Sequence, residues 1–301
     1  MDGGRYPPPT MTAPTFDLQS HSVHSDGVLA PADVVAAAAA AGVELLALSD
    51  HDTSAGVAEA RDAARAAGIG LVAATEITTS HNGQQDLHIL GYLIDPEHPR
   101  LVAALEHSRG DRERRAEKMA ARLRDLGYEL DDEQLAARTA QGKTIGRPHL
   151  AQAATSHPAN EGRLREEGLL EPTKFLVEYL IDGKAAFVDR EAPSVDEAVA
   201  LIHDAGGVAV WAHPFWDIPE VDGVRATLET FRGYGIDGVE VFYPSFSEDQ
   251  VRFLVAECAA HELLSTGSSD FHGPAHHTFS QFRAFDLHGL EPNLGPIAVP
   301  R

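Results

Sequence analysis

Short apolar runs alternating with alanine-rich helical stretches constrain this chain more than any other feature. Runs at Phe16–Leu18, Leu45–Leu48, Leu71–Ala74 and Leu87–Tyr92 read as strands. Between them, Pro31 is suited to the first turn of a helix that continues to Ala41 and stops at Gly42. A second Ala/Arg/Glu helix over residues 56–67 stops at Gly68. The alternation resumes after Pro193, with a helix over Val195–Asp204 and strands at Val208–Trp211, Gly238–Phe242 and Leu263–Gly267. This rhythm predicts a parallel sheet with helical crossovers. Seven strands with helices between them suit a small (β/α) barrel better than an open sheet, and a barrel places function on the loops past the C-terminal strand ends.

From about Pro99 to Arg190 the rhythm is interrupted by charged, helical sequence. It contains a dense mixed block, Arg109–Lys118, read as a solvated helix face, and an amphipathic stretch, Lys174–Asp182. The expected organisation is therefore a barrel over residues 15–98 and 191–290 with an inserted helical subdomain over 99–190. Residues 1–14, with four prolines, are expected to be a mobile tail, in which Met11 is an alternative start.

Composition narrows the function. A chain of 301 residues with 43% hydrophobic content can bury a full core. The lone Cys258 excludes a disulfide framework and a thiolate metal cluster. No apolar run approaches the ~18 residues of a membrane span, and the N-terminus lacks the apolar segment of a signal peptide, so a cytoplasmic location is expected. A net charge of −22 argues against binding duplex DNA, which needs a basic footprint. A small anionic substrate stays compatible, because divalent cations invert the local field.

The 16 histidines concentrate where a barrel needs ligands. The first strand leads into Asp17-Leu-Gln19-Ser-His21-Ser-Val-His24-Ser-Asp26-Gly27 and the second into Ser49-Asp50-His51-Asp52. Thr75-Glu76-Ile77 follows the third, and the fourth carries His88. The fifth ends in Trp211-Ala-His213-Pro214, and the seventh leads into Asp270-Phe-His272. One histidine at one strand end is ordinarily a hydrogen-bonded structural residue. Six strand ends converging on one rim are not explained that way. A His, Asp and Glu set without Cys selects Mn²⁺, Zn²⁺ or Fe²⁺, and so many ligands imply two or three ions, Mn²⁺ foremost.

In these segments, together with His88-Ile-Leu-Gly-Tyr92, Gly146-Arg147-Pro148-His149 and Ser269–Gly273, the chain resembles the PHP (polymerase and histidinol phosphatase) family of metal-dependent phosphoesterases. The match is to the branch that holds 3′,5′-nucleoside bisphosphate phosphatases and 5′-to-3′ RNA exonucleases, and it runs from about Phe16 to Phe285. The resemblance implies a distorted (β/α)₇ barrel and a trinuclear site. His21, Glu76 and Asp270 would hold one ion and Asp26, His51 and His272 a second. Glu76 would bridge to a third, held also by His88 and His213. The family opens this signature with His-x-His, and here the first member is Gln19: either it coordinates through its amide oxygen, or that metal is weakly held, or the site is partly degraded. His24, His81, His276 and His277 match no ligand position.

Such a site implies hydrolysis of a phosphate monoester. Water bridging two metals has its pKa lowered to about 7 and supplies hydroxide as nucleophile, with His213 and Asp270 as candidate catalytic residues. Arg147, in the insertion, offers a planar fork for a substrate phosphate, and Lys184 is a weaker candidate of the same kind. Trp216 fits a core or lid-packing aromatic better than a base-stacking one. The leading expectation is a small nucleotide substrate, a 3′,5′-bisphosphate or a nucleoside monophosphate, extending to short single-stranded RNA ends. Two alternatives stay open: a sugar or amino-alcohol phosphatase, as for histidinol phosphate, and a non-catalytic metal-binding PHP module.

Overall fold

The structure, a computed structural model, describes residues 14–140, 145–189 and 191–299. The expected tail, Met11 included, lies outside the described residues except for Pro14.

Strands β1 (Phe16–Asp17), β2 (Leu45–Leu48), β3 (Gly70–His81), β4 (Gln84–Tyr92), β5 (Val208–Trp211), β6 (Gly238–Phe242) and β7 (Leu264–Gly267) lie side by side in chain order. Helices α1 (Pro31–Ala40) and α2 (Val57–Ala67) cross between the first three strands. Pro31 opens α1 where its missing N–H has no intrahelical partner to lose, and Gly68 closes α2 in the left-handed region at φ +73°. The sheet bends round until its ends meet: Leu18 N–H donates to Gly267 O at 3.2 Å, and His21 N–H to Phe271 O at 2.8 Å. The result is a distorted (β/α)₇ barrel.

The distortion corrects the expectation of a parallel sheet. β3 and β4 form an antiparallel hairpin, and β4 also pairs antiparallel with β5. The cause is a two-residue turn, Asn82-Gly83, with both residues left-handed at φ +49° and +83°. That is the chemistry of a tight hairpin whose twist matches its strands. A reversal between Leu71–Ala74 and Leu87–Tyr92 was therefore written in the sequence. The hairpin extends β3 to 12 residues.

Between β4 and β5 run α3 (Pro99–Asp125), α4 (Asp132–Ala140), α5 (Arg147–Ser156), α6 (Glu161–Glu167) and α7 (Pro172–Tyr179). Met119, Leu123, Tyr128, Leu150, Leu164 and Phe175 form their own apolar cluster, separate from the barrel core around Leu18, Ile89, Trp211 and Phe242. The charged block on α3 is not simply a solvated face. The buried stripe of α3 runs Leu101, Leu105, Ser108, Asp111, Arg115, Met119 and Leu123, so helical periodicity turns Arg115 inward. After α8 (Val195–Asp204), the short α9 (Pro214–Asp217), α10 (Val221–Tyr234) and α11 (Glu248–Ala260) complete the barrel wall. Among the described residues no helix is long and apolar enough to cross a membrane.

Tyr92, fully buried on β4, donates its hydroxyl to Leu18 O at 2.9 Å, bracing the residue after β1 from across the barrel. Tyr92→Phe strands that carbonyl and is expected to cost about 1–3 kcal/mol of stability, read as a lower urea midpoint with an unchanged denaturant slope.

Candidate active site

The carboxylate of Glu76, fully buried, is the centre of the barrel mouth. Its backbone is fixed against the β2 loop: Glu76 N–H donates to Asp50 O at 3.2 Å and Asp52 N–H donates to Glu76 O at 2.9 Å. This ladder sets His51 opposite Glu76. The two carboxylate oxygens face different histidines. Oε1 lies 2.8 Å from His88 Nδ1 and 3.2 Å from His213 Nε2. Oε2 lies 3.2 Å from His21 Nε2 and 3.5 Å from His51 Nδ1. Burial alone would raise the pKa of Glu76, but the four imidazoles packed round it, including hydrogen bonds from His21 and His213, outweigh burial and hold the carboxyl well below its usual range.

Round this centre the structure gathers most of the residues expected from the sequence. Asp270 Oδ1 is 3.0 Å from His21 Nε2. Asp26 reaches His272 Nε2 at 3.4 Å and His51 Nε2 at 3.7 Å. Burial pushes the His51 imidazole down to about 3, so it is neutral, the form in which imidazole binds a metal. His213 and Asp270 both sit at positive φ, +28° and +54°. Such backbone costs of order 1–3 kcal/mol at a non-glycine residue and persists only where the surroundings fix it. For His213 the fixing contact is Glu240, whose buried carboxyl accepts the His213 N–H at 3.0 Å.

Gln19 is buried beside Glu76, but its amide nitrogen donates to Glu76 Oε2 at 2.9 Å. Its oxygen lies 3.3 Å from Ser268 Oγ. This is the geometry of a donor that orients the carboxylate, not of an oxygen ligand. Lys184 is not at the mouth: its amine lies 3.4 Å from Glu178. Tyr243, unexpected from the sequence, donates its hydroxyl to Asp270 Oδ2 at 2.7 Å. It follows directly on β6, the one strand from which the sequence reading named no candidate residue.

A cleft of about 410 Å³ opens over His51, His88 and His272, walled opposite by α3 and α5. That wall is basic. Arg147 Nη2 lies 3.0 Å from Asp86 Oδ2, Arg115 Nη1 lies 3.7 Å from Asp86 Oδ1, and Arg112 Nη2 lies 3.4 Å from Asp52 Oδ2. His149 also lines it, its ring pushed down to about 4 chiefly by burial, with Nδ1 accepting Gly146 N–H at 3.0 Å. Arg112 and Arg115 were hidden in the charged block, where only the i, i+3 spacing against the apolar stripe marks them.

The residues fit a metal centre. Among the described residues, His21 Nε2, His51 Nδ1 and Asp270 Oδ1 are buried without a hydrogen-bond partner, and each is a lone-pair ligand atom. Three groups have ligand atoms within 4.8 Å of one another: His21, Asp26, His51 and His272; His51, Glu76 and His88; and His21, Glu76 and Asp270. Imidazole and carboxylate ligands stand about 2.0–2.2 Å from a Zn²⁺-sized ion, so atoms this close share one after small shifts.

The PHP-domain profile matches residues 17–162. The chain is 34% identical over 259 residues to the 5′-3′ exoribonuclease of Haemophilus influenzae, covering 86% of this chain and 90% of that one. This chain belongs to the PHP family of metal-dependent phosphoesterases. A second PHP relative, the 3′,5′-nucleoside bisphosphate phosphatase of Chromobacterium violaceum, is 35% identical over 260 residues, covering 86% of this chain and 87% of that one. Among solved structures, one from Bifidobacterium adolescentis described as a metal-dependent phosphoesterase superposes with a TM-score of 0.73 at 29% identity, over 87% of this chain and 89% of that one.

Ligand binding to the native state alone raises stability, by about 2.7 kcal/mol at 100 times the dissociation constant. Mn²⁺ is expected to raise the Tm of this PHP protein in a saturable way, and EDTA to reverse the gain. Gln19→His, which supplies an imidazole in place of the amide, should reach half the gain at lower Mn²⁺. An unchanged midpoint would show that position 19 does not face the ions.

Proposed function

We propose that this PHP phosphoesterase hydrolyses phosphate esters of small nucleotides, nucleoside 3′,5′-bisphosphates foremost, extending to the 5′ ends of short single-stranded RNA. The observation that carries the reading is the pairing of the Glu76-centred cluster with a separate basic wall across one cleft. A monoester needs only the cluster. A second phosphate needs cations beyond it, and Arg147 with Arg115 is placed for that group. The two named relatives act, respectively, on RNA and on a nucleoside bisphosphate, which supports the same reading.

In this reading His21, Glu76 and Asp270 hold one ion and Asp26, His51 and His272 a second. His88 and His213 would hold a third beside Glu76. When bound, divalent cations, Mn²⁺ foremost, neutralise phosphoryl charge and activate water for attack at neutral pH. The chain's own groups do the rest. Tyr243 holds Asp270 through one oxygen and leaves the other to the cluster. Asp217, 3.7 Å from His213 Nδ1, orients that ring from behind. Gln19 fixes the rotation of Glu76, so that its two oxygens stay divided between two pairs of histidines. Arg147 and Arg115, held by Asp86 between them, exchange that carboxylate for the second phosphate of the substrate.

Arg147→Ala separates the two roles. Metal content, read by elemental analysis, should be unchanged. A charge-assisted hydrogen bond is worth about 1.5–3 kcal/mol, so kcat/KM for a nucleoside 3′,5′-bisphosphate should fall roughly 10- to 150-fold. A simple aryl phosphate, which has no second phosphate, should lose much less. Equal losses would place Arg147 on the reacting phosphate instead, and no loss on either substrate would remove the insertion from the site.

A further inference from the structure

Trp216 is the one tryptophan or phenylalanine of the chain that is more than a third exposed, at 53%, whereas Trp211 five residues earlier is fully buried. Its position is defined. It lies in α9, directly after the strained His213, and its backbone N–H donates to His213 O at 2.8 Å. The indole does not stand alone. Its ring is 5.6 Å from Phe279, and the His276 ring stacks on Phe279 at 5.3 Å with an interplanar angle of 17°. Phe279 is also 5.7 Å from His272, and both Phe279 and His276 line the cleft. A row of packed aromatic rings thus runs from the metal-ligand residues through the buried Phe279 to the exposed His276 and Trp216.

The row is stiff and its polarity is set. His276 Nδ1 accepts Phe279 N–H at 3.0 Å and Thr278 N–H at 3.3 Å, which leaves the proton of the neutral ring on Nε2. On the other flank, Trp216 is 6.2 Å from Tyr243, the residue that holds Asp270. An aromatic surface of this kind, next to a phosphate-binding cluster on a chain of net charge −22, is suited to a flat, uncharged group attached to a phosphate.

We propose that Trp216 and His276, braced by the buried Phe279 between them, form a stacking platform for the nucleobase of the substrate, with Trp216 as its outer face. The platform rests on the nucleotide reading above and deepens it. The two phosphates are taken by the cluster and the basic wall, and the base by the aromatic row. It makes the enzyme select nucleotides over bare sugar phosphates without selecting among bases, because every base presents a π-face.

The test compares Trp216→Ala and Trp216→Phe with the unsubstituted protein, supplied with Mn²⁺. The substrates are adenosine 3′,5′-bisphosphate and the same sugar bisphosphate carrying hydrogen in place of the base. Stacking of one base corresponds to about 5- to 150-fold, so Trp216→Ala should raise KM for the nucleotide by that factor, Trp216→Phe should restore most of it, and the base-free substrate should be unaffected. Equal KM changes on both substrates, or none on the nucleotide, overturn the platform. A second measurement does not depend on turnover: absorbance-corrected tryptophan fluorescence of the Mn²⁺-loaded protein, titrated with adenosine 5′-monophosphate and with ribose 5-phosphate. Quenching by the nucleotide alone, lost in Trp216→Phe, is the expected result, and identical responses to the two ligands overturn it. If neither bisphosphate is hydrolysed the nucleotide reading fails, and the titration still decides the platform.

Discussion

A carboxylate with no solvent exposure stays charged only if hydrogen-bond donors or positive groups surround it, and Glu76 has four imidazoles within 3.5 Å. This one requirement organises the barrel mouth. It calls for histidines from the β1 loop, the β2 loop, β4 and the end of β5, all arriving at one point. The hairpin reversal serves the same end: by running antiparallel to β3, β4 brings His88 alongside Thr78 and within reach of Glu76 on the same strand. The irregular backbone at His213 and Asp270 belongs to the same requirement, since regular strands would carry those side chains past the cluster.

The insertion answers a different need. Its helices have an apolar cluster of their own, so their fold does not depend on the metal site. What joins them to the barrel at the cleft is charge: Arg112 with Asp52, and Arg115 and Arg147 with Asp86. In the proposed reading, a dianionic substrate would compete for the same guanidinium groups. The carboxylates that hold the wall in place would then be the groups that a phosphate displaces, coupling cleft geometry to the charge of its occupant.

Much of this was legible in the residues. Strand ends bearing His21, His51, Glu76, His88, His213 and Asp270 announced a cluster because ligand chemistry is local: each residue type and its place after an apolar run can be read without knowing its neighbours. The direction of β4 was equally written in Asn82-Gly83, but the apolar rhythm overrode the turn. Tyr243 and the aromatic row were not legible, because an aromatic residue at a strand end reads as core until its hydroxyl or its exposed face is seen. Arg112 and Arg115 were masked within a block of mixed charge, and the buried stripe of α3, which holds Arg115, separates that residue from Arg109 and Arg114. Gln19 stands where the family pattern has histidine, and its donor geometry toward Glu76 depends on a rotamer that no sequence specifies.

The central claim is that Glu76 divides its two oxygens between metal ions held by different histidines. Anomalous scattering from crystals soaked in Mn²⁺ tests it most directly. The account predicts at least two peaks, one on each side of the Glu76 carboxylate, the first also against His21 and Asp270 and the second against His88 and His213. A single peak remote from Glu76, or no peak at the barrel mouth at saturating Mn²⁺, would contradict it.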